Sequence, residues 1–194
     1  MKKKLLYIAA VIICLSIITG GTFAYFTTDE IAHNVITTKR VKVDILNQQE
    51  INGKLEDAEI GIPIMPSSVV SKVVSARVDE AIAWVRVKYE ISAYDANGKV
   101  MSASNAELKE IVLIEENDSD WIEKDGWWYY KKALGDESKN GKTSAPLFEQ
   151  VEFSGPKMGN EYQNGTIEIH VTAQAVQKAN NGSSVLEAAG WPEE

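Results

Sequence analysis

Between residues 82 and 93 polarity switches at almost every step. Ala83, Val85, Val87, Tyr89 and Ile91 fall on one phase, while Trp84, Arg86, Lys88, Glu90 and Ser92 fall on the other. A two-residue period puts the two sets on opposite faces of an extended strand, whereas a helix would mix them. Residues 167–175 repeat the pattern, with Ile167, Ile169, Val171, Ala173 and Ala175 set against Glu168, His170, Thr172 and Gln174. Val41, Val43 and Ile45 alternate with Lys42 and Asp44 in the same way. One apolar and one polar phase per strand is the pattern of antiparallel sheets that bury a single face.

Further strands are predicted over residues 69–78, 126–132 and 147–153, with turns at Asp95-Ala96-Asn97-Gly98 and Asn164-Gly165. Pro63 and Pro66 mark residues 60–65 as an edge or connecting segment. Helix is scarce. Leu108, Ile111 and Val112 give helical spacing over residues 106–113, and residues 184–189 suit a single turn with Ser183 or Ser184 as N-cap and Gly190 at its end. Residues 135–144 read as an exposed polar loop. The expected fold is all-β: an antiparallel two-sheet β-sandwich, jelly-roll or immunoglobulin-like, with one or two short helices.

The first 24 residues read differently. Lys2, Lys3 and Lys4 precede an apolar run over residues 5–18, and small residues follow, with Thr22 and Ala24 placed for cleavage between Ala24 and Tyr25. This is the order of a secretory signal peptide. The run is shorter than the roughly 20 residues that span a bilayer, so membrane contact is expected only through the uncleaved signal. Cys14, the only cysteine of the 194 residues, lies in mid-run without the small residues a lipoprotein site needs. The sequence divides into a signal peptide (1–24), an N-terminal segment (25–38) and a sandwich domain (39–194). Processing removes three of the 20 basic residues and none of the 28 acidic ones, so an already acidic protein becomes more so. Nucleic-acid binding, which rests on Lys and Arg at phosphates, is not expected.

Catalytic motifs are missing. The two histidines, His33 and His170, stand far apart, and neither a His-Glu-x-x-His nor a Gly-x-Ser-x-Gly motif occurs. His170 falls on the polar phase of its strand and reads as a surface residue. The run Glu115-Glu116-Asn117-Asp118-Ser119-Asp120 offers calcium-type oxygens but lacks EF-hand spacing, and a solvated acidic loop is the simpler reading. Asn-x-Ser/Thr sequons occur at Asn117, Asn164 and Asn181. No metal, no cofactor and no enzymatic activity are expected.

The most unusual cluster is Trp127-Trp128-Tyr129-Tyr130, with Trp84 and Trp121 elsewhere in the sequence. In a strand, Trp127 and Tyr129 face one way and Trp128 and Tyr130 the other. One pair can fill the core, and the other needs a covering loop, partner or ligand. Trp84, Trp127, Trp128, Tyr129 and Tyr130 are therefore candidate interface aromatics.

Gly20-Gly21-Thr22-Phe23-Ala24-Tyr25-Phe26, followed by polar and acidic Thr27-Thr28-Asp29-Glu30, resembles the signal junction of the TasA/camelysin-like family of secreted proteins. The resemblance continues through Ile31-Ala32-His33-Asn34-Val35-Ile36-Thr37-Thr38, Ile64-Met65-Pro66, Ala83-Trp84-Val85-Arg86-Val87, Asp125-Gly126-Trp127-Trp128-Tyr129-Tyr130 and Val171-Thr172-Ala173-Gln174-Ala175-Val176-Gln177. It is strongest toward the BsaA-type biofilm matrix proteins.

What the resemblance implies is a Gram-positive export route through a SipW-type signal peptidase. A jelly-roll-like sandwich would then polymerise with copies of itself, and with other matrix components, into fibres at the cell surface or in the biofilm matrix. In TasA-like fibres the mature N-terminal segment completes a neighbour's sheet. Here Tyr25, Phe26, Ile31, Val35 and Ile36 make that segment too apolar for a free tail, and they are the expected donor residues. The alternative is that residues 25–38 fold back as an intramolecular strand. The C-terminal Gly190-Trp191-Pro192-Glu193-Glu194 is no LPxTG-like signal, and Gly155-Pro156-Lys157 only faintly resembles a pilin lysine motif. The rival readings are a camelysin-like cell-surface metalloprotease and a monomeric surface adhesin.

Overall fold

The computed structural model describes residues 26–29, 32–34, 36–37, 41–58, 62–136 and 138–193. The signal peptide and the cleavage pair Ala24 and Tyr25 lie outside the described residues, as do Ile31 and Val35 of the donor segment. The described residues form two sheets facing each other across one core.

The first sheet contains β1 (Phe26–Asp29), β2 (Ala32–Asn34), β6 (Ile62–Ile64), β8 (Ala83–Tyr94), β10 (Trp121–Lys124), β11 (Trp127–Tyr130) and β13 (Thr166–Gln177). Its order is β10-β11-β8-β13-β1-β6, with β2 also on β13. The second sheet contains β3 (Ile36–Thr37), β4 (Val41–Ile51), β5 (Lys54–Asp57), β7 (Val69–Glu80), β9 (Val112–Ile114) and β12 (Phe148–Phe153). Its order is β3-β4-β7-β12-β9, with β5 on β4. Every pairing is antiparallel except those of β1 and β2 with β13, which run parallel. The sandwich expected from the alternating runs is thus the fold of the described residues.

Alternation decides which side chains meet. β8 and β13 pair along their whole lengths, from Ala83 opposite Gln177 to Tyr94 opposite Thr166. Their inward phases are buried: Val85, Val87, Tyr89 and Ile91 on β8, and Ile167, Ile169, Val171, Ala173 and Ala175 on β13. Across the core they meet Val43, Val74, Ala76, Val78, Phe148, Val151 and Phe153 of the second sheet. Fully burying one Val, Ile or Phe side chain is worth about 1.5–3 kcal/mol, so these two strands supply much of what holds a protein whose single cysteine can form no internal disulfide.

The helix α1 (Asn105–Ile111) closes one end of the core with Leu108 and Ile111. Its start is a capping box: the Glu107 backbone N–H donates to Ser104 Oγ (3.3 Å), and the Ser104 backbone N–H donates to Glu107 Oε2 (2.7 Å). It stops before the expected residue 113 because Val112–Ile114 is extended and pairs with β12. The apolar, partly β-branched run Ile111-Val112-Leu113-Ile114 suits a strand better than a further turn of helix.

Three expectations need correction. The Asp95–Gly98 turn forms, with the Gly98 N–H donating to the Asp95 carbonyl (2.9 Å), but it returns only a single bridge, Tyr94 to Val100, before the backbone leaves for α1. Two-residue hairpins lie instead at Asn52-Gly53, between β4 and β5, and at Asp125-Gly126, between β10 and β11. All four turn residues have positive φ, 53° and 78° in the first turn and 54° and 78° in the second. Both therefore read as the turns that match strand twist.

Residues 135–144, read as an exposed loop, are anchored at both ends. Ser144 is 6% exposed, and its Oγ accepts the Ala76 N–H (2.9 Å). Gly135 has φ 143°, and a Cβ there would lie 2.6 Å from the Ala81 carbonyl oxygen. At the C-terminus the turn is a 3-10 turn, Val185–Glu187, and the Ser184 hydroxyl does not cap it. Ser183 Oγ donates to Glu187 Oε2 (2.7 Å) instead.

Candidate functional site

Two regions carry the residues singled out from the sequence: the N-terminal strands and the outer face of the first sheet. β1 lies between β13 and β6. Thr27, Thr28 and Asp29 pair parallel with Thr166, Ile167 and Glu168 of β13. On the other edge, Phe26, Thr27 and Thr28 pair antiparallel with Ile64, Pro63 and Ile62 of β6. β2 continues along β13, placing Ala32, His33 and Asn34 beside Val171, Thr172 and Ala173. β3 then crosses to the second sheet, with Ile36 opposite Lys42 of β4.

Of the donor residues, Phe26 and Ile36 are thus placed in ladders of this same molecule, which is the fold-back arrangement. Both edges of β1 are paired. Pro63 fits in β6 because that strand is the edge of its sheet, where a missing N–H costs no interior bond.

The aromatic run divides as its alternation requires, and the structure shows what covers each half. Tyr130 (4% exposed) and partly buried Trp128 join the main core. Trp121 sits with them, fully buried, its ring centre 4.9 Å from that of Tyr130 and its Nε1–H donating to the Ala145 carbonyl (3.1 Å). Trp127 and Tyr129 turn to the outer face, where they form a second cluster with Trp84, Ala133, Val176 and Val185. The protein's own C-terminal segment covers that face. Val185 is buried in it, and the Trp191 ring meets Tyr129 edge-on at 5.7 Å.

Arg86 occupies the centre of this outer cluster. Its guanidinium carbon is 4.1 Å from the Trp127 ring centre and 4.7 Å from that of Trp191. Nε and Nη2 both donate to Gln174 Oε1 (2.9 and 2.6 Å), and Nη1 donates to the Tyr129 hydroxyl oxygen (3.1 Å). Among the described residues no carboxylate forms an ion pair with it. The aromatic faces and neutral acceptors hold this charge, a role that arginine's planar, weakly hydrated group suits. Sequence reasoning missed Arg86 as the organiser, although its place on the outward phase, beside Trp84, was readable.

The titratable clusters are occupied by ordinary partners. His170 Nε2 lies 2.9 Å from Glu168 Oε2 on the same strand. A hydrogen bond to Glu168 raises the Tyr94 hydroxyl above its usual pKa. Burial, reinforced by the bond to Glu116, pushes the Tyr89 hydroxyl far above the usual tyrosine range.

In the acidic stretch, Lys131 Nζ donates to the Asp118 and Ser119 carbonyls (2.6 and 2.9 Å), and Lys132 Nζ bonds Asp120 Oδ1 (2.6 Å). That bond holds the Asp120 carboxyl below the ordinary carboxylate range. A polar cleft of about 420 Å³ opens beside it, lined by Glu115, Glu116, Asp118 and Glu149 among others. Among the described residues no group of three or more His, Cys, Asp or Glu side chains is arranged to hold a metal ion. Lys157 is paired with Glu110. The asparagine amides at two of the three sequons are engaged: Asn117 with Pro146 and Asp120, and Asn181 with Ala189. Among the described residues no helix is long and apolar enough to cross a membrane. No protein-family model, no curated protein and no solved structure matches the sequence.

Proposed function

We propose that this protein is an exported structural subunit that polymerises with copies of itself into extracellular fibres after loss of residues 1–24, in the manner of the TasA/camelysin-like proteins it resembles. The observation that carries the reading is the position of β1. The first described strand, which loss of residues 1–24 would make a terminal segment, lies between β13 and β6 and is paired on both edges. A slot that accepts a molecule's own terminal strand presents the same backbone donors and acceptors to the identical strand of a second copy, which is the basis of domain swapping and strand addition. Exchange replaces intramolecular pairs by equivalent intermolecular ones and propagates head to tail. While the signal remains attached, the strand's free end is tethered to the membrane, so cleavage would license the exchange.

The test is deletion of residues 25–36 from the processed protein. The expected product is a soluble monomer that forms no fibres under electron microscopy at concentrations where the full processed protein does. Fibres of unchanged yield would overturn the reading.

A further inference from the structure

We propose that Asn52 is a built-in site of spontaneous deamidation, the one Asn-Gly pair among five in this sequence that the fold leaves open to the reaction. The pairs are Asn52-Gly53, Asn97-Gly98, Asn140-Gly141, Asn164-Gly165 and Asn181-Gly182. In each, the glycine backbone nitrogen can attack the carbonyl carbon of the asparagine amide. A new N–C bond closes a five-membered imide, and the C–N bond of that amide breaks to release ammonia. Water then opens the ring at either carbonyl, giving aspartate or the β-linked isoaspartate. No oxidant, reductant or enzyme is required. The glycine nitrogen must be free, and the asparagine side chain must be able to swing onto it.

At four sites the structure denies one or both conditions. The Gly98 N–H donates to the Asp95 carbonyl (2.9 Å), the Gly141 N–H to the Ser138 carbonyl (3.1 Å) and the Gly165 N–H to the Tyr162 carbonyl (3.1 Å). Asn140 is further held by its Nδ2 donating to the Ala133 carbonyl (3.1 Å). Asn181 is pinned at both ends of its amide. Its Nδ2 donates to the Ala189 carbonyl (3.0 Å), and its Oδ1 accepts the Ala189 N–H (2.8 Å).

Asn52 and Gly53 have no such restraint. They form the tip of the β4–β5 ribbon, in which residues 50–57 are all exposed. The β4–β7 ladder ends at Gln48 opposite Val73, and the last bond between the two strands runs from the Glu50 N–H to Ser71 Oγ (2.8 Å), so the tip at Asn52 and Gly53 lies beyond both. Among the described residues neither the Gly53 N–H nor the Asn52 amide has a hydrogen-bond partner.

The sister hairpin provides an internal comparison. Asp125-Gly126 adopts the same pair of positive φ angles, but there the Glu123 carboxylate accepts the Gly126 N–H (2.8 Å). Attack at Asn52 still requires its backbone to leave the left-handed region. A ribbon tip without packing on either face opens far more cheaply than buried structure. The product adds a negative charge at the tip. In the isoaspartyl form it also adds a backbone carbon to a turn whose geometry depends on two residues.

The test is peptide mapping by mass spectrometry of the folded processed protein, aged in mildly alkaline buffer, beside the same protein in denaturant. In the folded protein, Asn52 is expected to convert at least about tenfold faster than any other Asn-Gly pair, the factor that a ~1.4 kcal/mol difference in local opening produces. In denaturant the five rates should converge. Conversion led by another pair, or equal rates in the folded protein, would overturn the proposal. Glu123→Ala provides a second arm: freeing the Gly126 N–H should raise isoaspartate at Asp125. An unchanged level would show that a bonded glycine N–H does not protect the turns of this protein.

Discussion

The Arg86 guanidinium carbon stands 4.1 Å from the centre of the Trp127 ring, with its donors turned to Gln174 and Tyr129 and not to a carboxylate. The arginine therefore depends on the aromatic rings around it, and the second of those rings comes from the C-terminal segment. Trp191→Ala removes that ring and uncovers Tyr129. The expected loss is about 1–3 kcal/mol, from a cation–π contact worth up to ~2 kcal/mol and an aromatic pair worth ~0.5–1.5 kcal/mol. A urea titration of the purified protein without residues 1–24 measures it. A midpoint shift near zero would mean that the C-terminal segment does not hold the outer cluster in solution.

Arg86→Lys should not be conservative. Lysine cannot bond Gln174 and the Tyr129 hydroxyl from one planar group, nor stack between two rings as guanidinium does. A loss comparable to Arg86→Ala is expected, whereas retention of most of the wild-type stability would show that charge alone suffices.

Ser144 and Ala76 test the anchoring of residues 135–144. Ser144→Ala leaves the buried Ala76 N–H without its acceptor, at a cost of about 1–3 kcal/mol. Hydrogen exchange at Ala76 should accelerate in the variant. Unchanged protection would mean that another group takes over the bond.

Strand exchange, the proposed mode of assembly, can be read by disulfide trapping, because a chain lacking residues 1–24 has no cysteine. Thr27 and Thr166 are direct neighbours in the parallel β1–β13 ladder. In Thr27→Cys/Thr166→Cys, oxidation of the monomer should close an intramolecular bridge that prevents later assembly. Oxidation of preformed fibres should give a covalent ladder on non-reducing gels. Fibres that yield only bridged monomer would show that the N-terminal strand stays in its own subunit.

The Asp120–Lys132 contact predicts a pH dependence. The Lys132 bond lowers the Asp120 pKa on folding, so the folded state binds a proton less readily there than the unfolded one. Stability from this group is therefore fully present above the ordinary aspartate value of ~3.9 and is lost as pH falls through the lower folded value. The urea midpoints of wild type and Asp120→Asn should differ at neutral pH and draw together in acid. A gap that does not change with pH would exclude a charged contribution.

The parts of the fold that were legible in the sequence are those where a strand buries one face. β8 and β13 stand out because Arg86, Lys88 and Glu90, or Glu168 and His170, break up the apolar residues between them. β11 could be placed as a strand but not oriented, since Trp127, Trp128, Tyr129 and Tyr130 are apolar on both faces. Each half is covered by an element distant in sequence, and Trp84 meets Asn181 through a bond spanning 97 residues. No local pattern encodes such a contact. β10 was missed with its turn, although Asp125-Gly126 is a hairpin signal as strong as the Asn97-Gly98 pair that returned only a bridge. The N-terminal strands were recognisable by apolar content alone, while their register depends on β13, which no short-range rule relates to them.

The placement of β13 also sets an order in time. It is the last strand in sequence, yet in the first sheet it lies between β8, whose whole length it pairs, and the N-terminal β1 and β2. Without it, β8 has only β11 beside it in this sheet and β1 has only β6. The first sheet therefore stays in two parts, β10-β11-β8 and β1-β6, until β13 joins them in one late, long-range step that is slow by the standards of locally connected folds.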